Sequence, residues 1–339
     1  MNTKISSVVK VLFFISLSVL LVWLVVKDIT AEEKKSIYIA FEKADYTWIG
    51  ASIIIGILSH VVRAVRWKML LQPLGYNPKG SNMFFSVMVG YLANLALPRL
   101  GEASRCGVLT KYEKIPFNES FGTVVAERAV DVICLVVITA ITLLLKAQIL
   151  YSFASEKLIN PALQKIDRFT SNPIALVVFL LITVALIFVV YKFLFAKKST
   201  DASKATLVDK FRGMIKGFMQ GLVAIKKIKH PVLFGFYSIL IWGLYYGALH
   251  ICFLSFEETK HLGILEALCV LIFGSLGIMF VPGGAGAYQK LVIETLAIFS
   301  VPFVIAFAFA WIAWAAQVAL VLVIGAFSLI ALPLFNKGK

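Results

Sequence analysis

Apolar side chains run along this chain in blocks of about twenty, separated by short stretches that hold most of the charge. A helix of that length crosses a hydrocarbon core of about 30 Å. Blocks at 8–26, 46–65, 121–145, 174–195, 232–254 and 303–332 therefore predict about six full transmembrane helices. The alternation of period two that marks a lipid-embedded barrel does not occur, and helices are the remaining way to satisfy the backbone in lipid. The pattern predicts an all-α, polytopic integral membrane protein.

Two further stretches are interrupted. Residues 82–97 are apolar and then break at Leu97-Pro98-Arg99-Leu100-Gly101-Glu102, and the piece that follows ends at Lys111, Glu113 and Lys114. Residues 262–281 break at Pro282-Gly283-Gly284-Ala285-Gly286-Ala287, and a short piece leads to Ser300 and Pro302. An arm of about eleven helical residues rises roughly 16 Å, too little to cross. Each stretch predicts a re-entrant helical hairpin, the first entering from the cytoplasm and the second from outside. Span, hairpin and span over 46–145 recur over 231–332, which predicts an inverted repeat with a site at its interface. The expected organisation is a single transmembrane domain over 1–339. A signal-anchor span and outer loop (1–45) precede the first repeat (46–145). An outer segment, one span and a basic cytoplasmic segment (146–230) then lead to the second repeat (231–339).

Composition agrees: 60% of the residues are hydrophobic and the mean hydropathy is +0.91, outside the range of ordinary soluble domains. The net charge of +15 first suggests nucleic acid. The lysines and arginines, however, sit in loops between apolar blocks, where they set orientation and meet anionic headgroups. No nucleic-acid partner is expected. Lys4, Lys10, Arg63, Arg66, Lys68, Lys337 and Lys339 fall on one side, which predicts a multi-pass protein of the cell (inner) membrane with both termini cytoplasmic. The first block is long and lacks an Ala-x-Ala cleavage site, so it is expected to stay as a signal anchor. Between 197 and 229, Leu207, Phe211, Met214, Phe218, Leu222 and Ile225 recur at steps of three and four beside lysines. That pattern predicts an amphipathic helix on the inner leaflet or packed against the spans. Cys106, Cys134, Cys252 and Cys269 and the four histidines are scattered without metal-ligand spacing, so neither metal nor cofactor is expected.

Charges inside the apolar segments carry the chemistry. Arg99, Glu102, Arg105, Glu127, Arg128 and Asp131 would together cost about 15 kcal/mol if exposed to lipid, so they must face one another or a wet chamber. Glu127 and Asp131 are four apart and share a helix face. Two readings follow: a buried ion-pair cluster holding the first hairpin, or the same residues also lining a polar pathway. The second arm of each hairpin begins a helix at mid-membrane, and such an end attracts anions. Arg99 and Arg105 strengthen the first, and the Gly283, Gly284 and Gly286 backbone can approach a phosphate at the second. Asn94 either donates to a ligand or caps the broken helix. Arg63 and Arg66 either mark topology or capture a headgroup.

Arg63-x-x-Arg66-Trp67, Asn94-x-x-x-Pro98-Arg99-x-Gly101-Glu102-x-x-Arg105, Glu127-Arg128-x-x-Asp131 and Pro282-Gly283-Gly284-x-Gly286 together resemble the lysylphosphatidylglycerol synthase transmembrane-domain family over nearly the whole chain. The resemblance implies a flippase-like membrane domain that, in its best-understood relatives, moves an aminoacylated phosphatidylglycerol between leaflets; other relatives are associated with polyprenyl-linked sugars or cardiolipin. Gln289 stands where the family often has Glu, three residues after the last glycine. The chain ends at Lys339 without the soluble aminoacyl-transferase domain of bifunctional relatives, so transport without synthesis is expected. The expected function is a lipid flippase or transporter whose substrate is an anionic membrane lipid or a polyprenyl-phosphate-linked headgroup. Arg99, Arg105 and Arg128 would neutralise its phosphate, while Glu102, Glu127 and Asp131 position them or meet a cationic headgroup part. No catalytic residue is assigned, and no Gly-x-x-x-x-Gly-Lys-[Ser/Thr] motif for ATP occurs. The rivals are a polyprenyl-phosphate sugar transferase with Glu127 or Asp131 as base, and a scaffold of a membrane complex. The oligomeric state stays open.

Overall fold

The computed structural model of the protein describes Ser16 and residues 18–97, 100–145 and 227–337. The expected span at 174–195, the outer segment, the basic amphipathic segment up to 226, the start of the first span, and Pro98 and Arg99 lie outside the described residues. Every regular element among the described residues is helical, so the protein is an all-α, polytopic membrane protein as the pattern predicts. Four of these helices are long and apolar enough to cross a membrane.

Residues 18–26 are helical and lead to α1 (Ala31–Lys43), α2 (Tyr46–Leu71), α3 (Gly80–Ala96), α4 (Leu100–Glu113) and α5 (Phe117–Leu145). After the undescribed stretch come α6 (Pro231–Cys252), α7 (Ile264–Phe280), α8 (Ala287–Ile298) and α9 (Phe303–Phe335). Local chemistry sets the boundaries. Thr30 and Glu33 form a capping box on α1: the Glu33 carboxylate accepts the Thr30 N–H at 2.8 Å and the Thr30 hydroxyl accepts the Glu33 N–H at 3.2 Å. The bond from the Thr30 backbone, and then the one from its hydroxyl, hold the Glu33 carboxyl below the usual range. Asp45 caps α2 by accepting from Thr47 N–H at 3.0 Å. Proline starts α6 at its first position, where its missing N–H has no partner to lose.

The two interrupted stretches are helical hairpins, α3/α4 and α7/α8. Both first arms stop by the same device. Leu97 (φ −145°, ψ 132°) precedes Pro98 and Val281 (φ −128°, ψ 139°) precedes Pro282, the extended conformation that a following proline imposes. The arms hold 17, 14, 17 and 12 residues, at most about 25 Å each at 1.5 Å per residue. Within the first hairpin the backbones nearly touch, because a Cβ on Gly101 would overlap the Gly90 carbonyl oxygen. In the second, a Cβ on Gly277 would fall 2.7 Å from Tyr288 Cα. Small residues at these crossings let the arms close, as at other membrane helix interfaces.

Side-chain contacts fix the directions. Asp45 N–H, at the start of α2, donates to Ser255 O just beyond α6 at 3.0 Å. Arg63 and Arg66, near the other end of α2, meet Tyr245 and Ser238 of α6. The two leading spans are therefore antiparallel. The first hairpin starts at the α2 C-terminal end, where Asn82 and Asn336 exchange amide hydrogen bonds of 2.8 and 3.0 Å and tie the hairpin base to the end of α9. The second starts from the opposite end, after the turns that close α6. α3 packs along α9, where a Cβ on Gly325 would fall 2.8 Å from Leu92 Cβ, and α7 packs on α5. The hairpins meet tip to tip: the Cβ position of Gly283 lies 3.2 Å from Leu95 Cδ2.

Candidate functional site

Beside the first tip, α2, α4, α5 and α6 converge on a buried ion cluster. Arg63 and Arg66 are three apart on α2 and face Glu127 and Asp131, four apart on α5, so two pairs of side chains interleave. Arg63 Nη1 reaches Glu127 Oε1 at 2.5 Å and Asp131 Oδ2 at 2.9 Å. Arg66 Nη2 reaches Asp131 Oδ1 at 2.6 Å and Glu127 Oε1 at 3.4 Å. Arg105 of α4 adds Nη1 to Glu127 Oε2 at 2.9 Å and lies 4.5 Å over the Trp67 ring. Trp67 is itself held by its N–H to Thr123 Oγ1 at 2.9 Å.

Aromatic hydroxyls extend the cluster toward α3 and α6. Tyr245 OH accepts from Arg63 Nε at 3.2 Å and Nη2 at 3.0 Å and sits 3.3 Å from Tyr91 OH. The His60 ring packs on Tyr91 with centroids 4.5 Å apart. Arg66 Nη1 donates to Ser238 Oγ at 3.2 Å. At the cluster's edge Arg128 Nε lies 3.4 Å from Glu102 Oε1 and its Nη1 3.9 Å from Asp131 Oδ2; the Arg128 side chain is 38% exposed.

Four guanidiniums against three carboxylates leave these seven residues with one excess positive charge. Arg105 is 3% exposed and is held to a carboxylate through Nη1 alone. Its Nε and Nη2 have no hydrogen-bond partner among the described residues, although burying such donors without a partner is unfavourable. Nε and Nη2 form the planar fork that matches a phosphate or carboxylate.

Each tip is closed by an amide. Asn94 Oδ1 accepts the Gly101 N–H at 2.7 Å, so Asn94 caps the second arm of the first hairpin. Gln289 Oε1 accepts the Gly286 N–H at 2.7 Å at the second. The turn between α7 and α8 holds Pro282 to Gly284 in a 3-10 turn, with Gly283, Gly284 and Gly286 at φ 63°, 75° and 80°, conformations open to glycine. Trp314 Nε1 donates to the Gly283 carbonyl at 2.6 Å.

Arg63, Arg66, Arg105, Glu127 and Asp131 thus come together in one cluster, with Glu102 and Arg128 at its edge. Asn94 and Gly101 form the first tip; Gly283, Gly284, Gly286 and Gln289 form the second. Pro98 and Arg99 lie outside the described residues. Sequence reasoning placed Arg63 and Arg66 beneath the hairpin as topology markers or headgroup ligands; they instead neutralise Glu127 and Asp131. It did not single out Tyr91, Ser238 and Tyr245, and it took Trp67 only as part of the Arg63-x-x-Arg66-Trp67 motif. Spacing carried no signal for Tyr91 or Ser238, and Tyr245 lies 182 residues from Arg63.

The sequence pattern that defines the lysylphosphatidylglycerol synthase TM region matches residues 7–325 of the 339. The chain belongs to that family. Among relatives, a UPF0104 membrane protein of Methanocaldococcus jannaschii is 39% identical over 83 residues, 24% of this chain and 25% of the relative. Glycosyltransferase AglD of Haloferax volcanii is 27% identical over 101 residues, 30% of this chain and 16% of the relative. The matched segments thus span a quarter or less of those two proteins. No solved structure matches the chain. As a member of the lysylphosphatidylglycerol synthase TM region family, with several long apolar helices, the protein is a multi-pass membrane protein, and its family and relatives point to a lipid-related role.

Proposed function

We propose that the protein is a lipid flippase that carries an anionic phospholipid or a polyprenyl-phosphate-linked headgroup between the leaflets of the cell (inner) membrane, passing it through the junction of the two hairpin tips. The observation that carries this reading is Arg105, a buried guanidinium whose Nε–Nη2 fork has no partner among the described residues. In a low-dielectric interior that fork is stable when an oxyanion fills it. Glu127 and Trp67 hold it in place. Hairpins that enter from opposite ends and meet at their tips give such an anion a route from either side, as in transporters built from inverted repeats. On this reading 46–145 and 231–339 are the two repeats, both termini are cytoplasmic, and no residue is catalytic. Glu102 and Arg128, half-exposed at the edge, form the rim through which the headgroup reaches Arg105.

The test is leaflet exchange in vesicles containing the purified full chain and fluorescent phosphatidylglycerol or a polyprenyl phosphate. Wild-type protein is expected to accelerate dithionite-accessible exchange of at least one of them. Arg105→Gln is expected to lower the rate about tenfold or more, in line with loss of a charge-assisted bidentate contact of roughly 1.5–3 kcal/mol. Exchange of neither lipid by the wild type would overturn the reading.

The likeness to Glycosyltransferase AglD favours a second reading, sugar transfer on a polyprenyl phosphate. Against it, Glu127 and Asp131 are each bound by two or more guanidiniums, which occupy the oxygens a base would turn toward a substrate. Sugar transfer by purified protein from a nucleotide-sugar, abolished in Glu127→Gln, would favour it. A scaffold role predicts instead that Arg105→Gln alters assembly and leaves exchange unchanged.

A further inference from the structure

The second tip has a chemistry of its own. Its turn and the start of α8, Pro282 to Gln289, contain no charged side chain. Gln289 is completely buried. Because its Oε1 accepts the Gly286 N–H, the orientation of the amide is fixed; the flipped form would set N–H against N–H. The Nε2 group, with two hydrogens to give, has no acceptor among the described residues. It lies at the opening of a 12-residue helix, whose first N–H groups add further donors. Of the carbonyls in this turn, that of Gly283 is taken by Trp314, that of Val281 by the Gly284 N–H and that of Gly286 by the Lys290 N–H.

Most acceptors of the first tip are committed. Asn94 Oδ1 holds Gly101 N–H, and Glu127 and Asp131 hold arginines. Glu102 Oε2 lacks a hydrogen bond, but Arg128 offsets its charge. An ammonium group brings only donors. At the second tip it would meet donors, and at the first the carboxylate oxygens without a hydrogen bond, Oε2 of Glu102 and of Glu127, belong to carboxylates already beside an arginine, a balance that works as selection against it.

We infer that the second tip is an uncharged, donor-only subsite: it takes hydroxyl or ester oxygens of an anionic lipid headgroup through Gln289 Nε2, and it disfavours a headgroup that carries an amine. The inference deepens the transport reading and rests on it for the lipid. It narrows the substrate class to anionic lipids with oxygen-bearing, amine-free headgroups.

The test is competition binding, measured apart from transport. Delipidated full-length protein is offered equal amounts of phosphatidylglycerol, an aminoacylated phosphatidylglycerol and phosphatidylcholine, and bound lipid is read by native mass spectrometry. The wild type is expected to prefer phosphatidylglycerol over the aminoacylated form by about tenfold, close to one lost hydrogen bond. Gln289→Glu keeps an acceptor for Gly286 N–H, as a capping box accepts either residue, so the fold is retained. It is expected to reverse the preference toward the amine-bearing lipid. Gln289→Met, which removes the donor without adding charge, is expected to weaken phosphatidylglycerol binding and leave no preference. The inference is overturned if the wild type binds the aminoacylated lipid as well or better, if Gln289→Glu leaves the ratio unchanged, or if phosphatidylglycerol does not outcompete phosphatidylcholine. Selective binding without leaflet exchange would sink the transport reading alone; exchange without discrimination would sink the subsite alone.

Discussion

At the scale of single residues, the cluster on α2, α4 and α5 sets one constraint against another. Glu127 touches Arg63, Arg66 and Arg105, so three helices depend on one carboxylate. Glu127→Gln would leave several buried guanidinium groups short of an anion. Breaking a buried pair from one side costs about 3–5 kcal/mol, and a fall in the thermal midpoint of the detergent-solubilised protein is the expected reading. Arg105→Gln removes the excess positive charge instead and leaves Glu127 with Arg63 and Arg66. Its midpoint is expected to fall by much less, while exchange is lost. Similar midpoints for the two variants would mean that Arg105 is a structural partner only. The individual charges were legible in the sequence because an arginine or carboxylate in an apolar block has few acceptable surroundings. Their partners were not, since the Arg63–Glu127 and Arg66–Asp131 pairs close over 64 and 65 residues and depend on how whole helices pack.

At the scale of elements, the hairpins were readable where backbone chemistry is local. Leu97 and Val281, each followed in sequence by a proline, turn extended and end the first arms, and length alone denies either arm a full crossing. The second arm of the first hairpin was underestimated: the apolar piece suggested about ten residues, but α4 has 14 because its polar residues, Glu102 and Arg105, belong to the helix and face the cluster. Hydropathy cannot register a helical residue whose burial is made tolerable by a partner elsewhere. The crossing of Gly90 and Gly101 was also invisible, since either glycine reads equally well as a turn former. Gly101→Leu is expected to force α4 away from α3, at a cost of about 1–3 kcal/mol for overpacking. Cys106, fully buried one turn further along α4, provides the measurement: its reactivity toward a maleimide should rise in Gly101→Leu and stay low in the wild type. Unchanged labelling would mean that the hairpin closes without the glycine contact.

At the scale of the whole molecule, the leading spans α2 and α6 run antiparallel, and each hairpin packs on the closing span of the other half, α3 on α9 and α7 on α5. Repetition of span and hairpin in the sequence predicts the succession of elements, and the charge of the loops predicts opposite entry sides, but the packing of each hairpin on a distant span had no signal there. The sequence predicts that both breaks reach mid-membrane, but it carries no signal that Leu95 and the Gly283 turn, 188 positions apart, touch there. A cysteine pair at Leu95 and Gly283, in a chain cleared of its native cysteines, tests that contact directly. A short bifunctional thiol reagent is expected to join the two positions and to stop leaflet exchange, and a reductively cleavable form of it should restore the rate. Joined tips with undiminished exchange would put the lipid's path elsewhere.

The meeting of Leu95 with the Gly283 turn also bears on how far anything must move. Where the tips meet, a leucine side chain lies against a glycine turn that Trp314 also holds. Opening that contact calls for a displacement on the scale of a rotamer change or a small tilt of a hairpin, with the base of the first hairpin still pinned by Asn82 and Asn336. If a headgroup crosses there, its fatty tails can stay in the surrounding bilayer along the outside of the helices, and the protein needs to shelter only a few polar atoms over a few ångströms of travel.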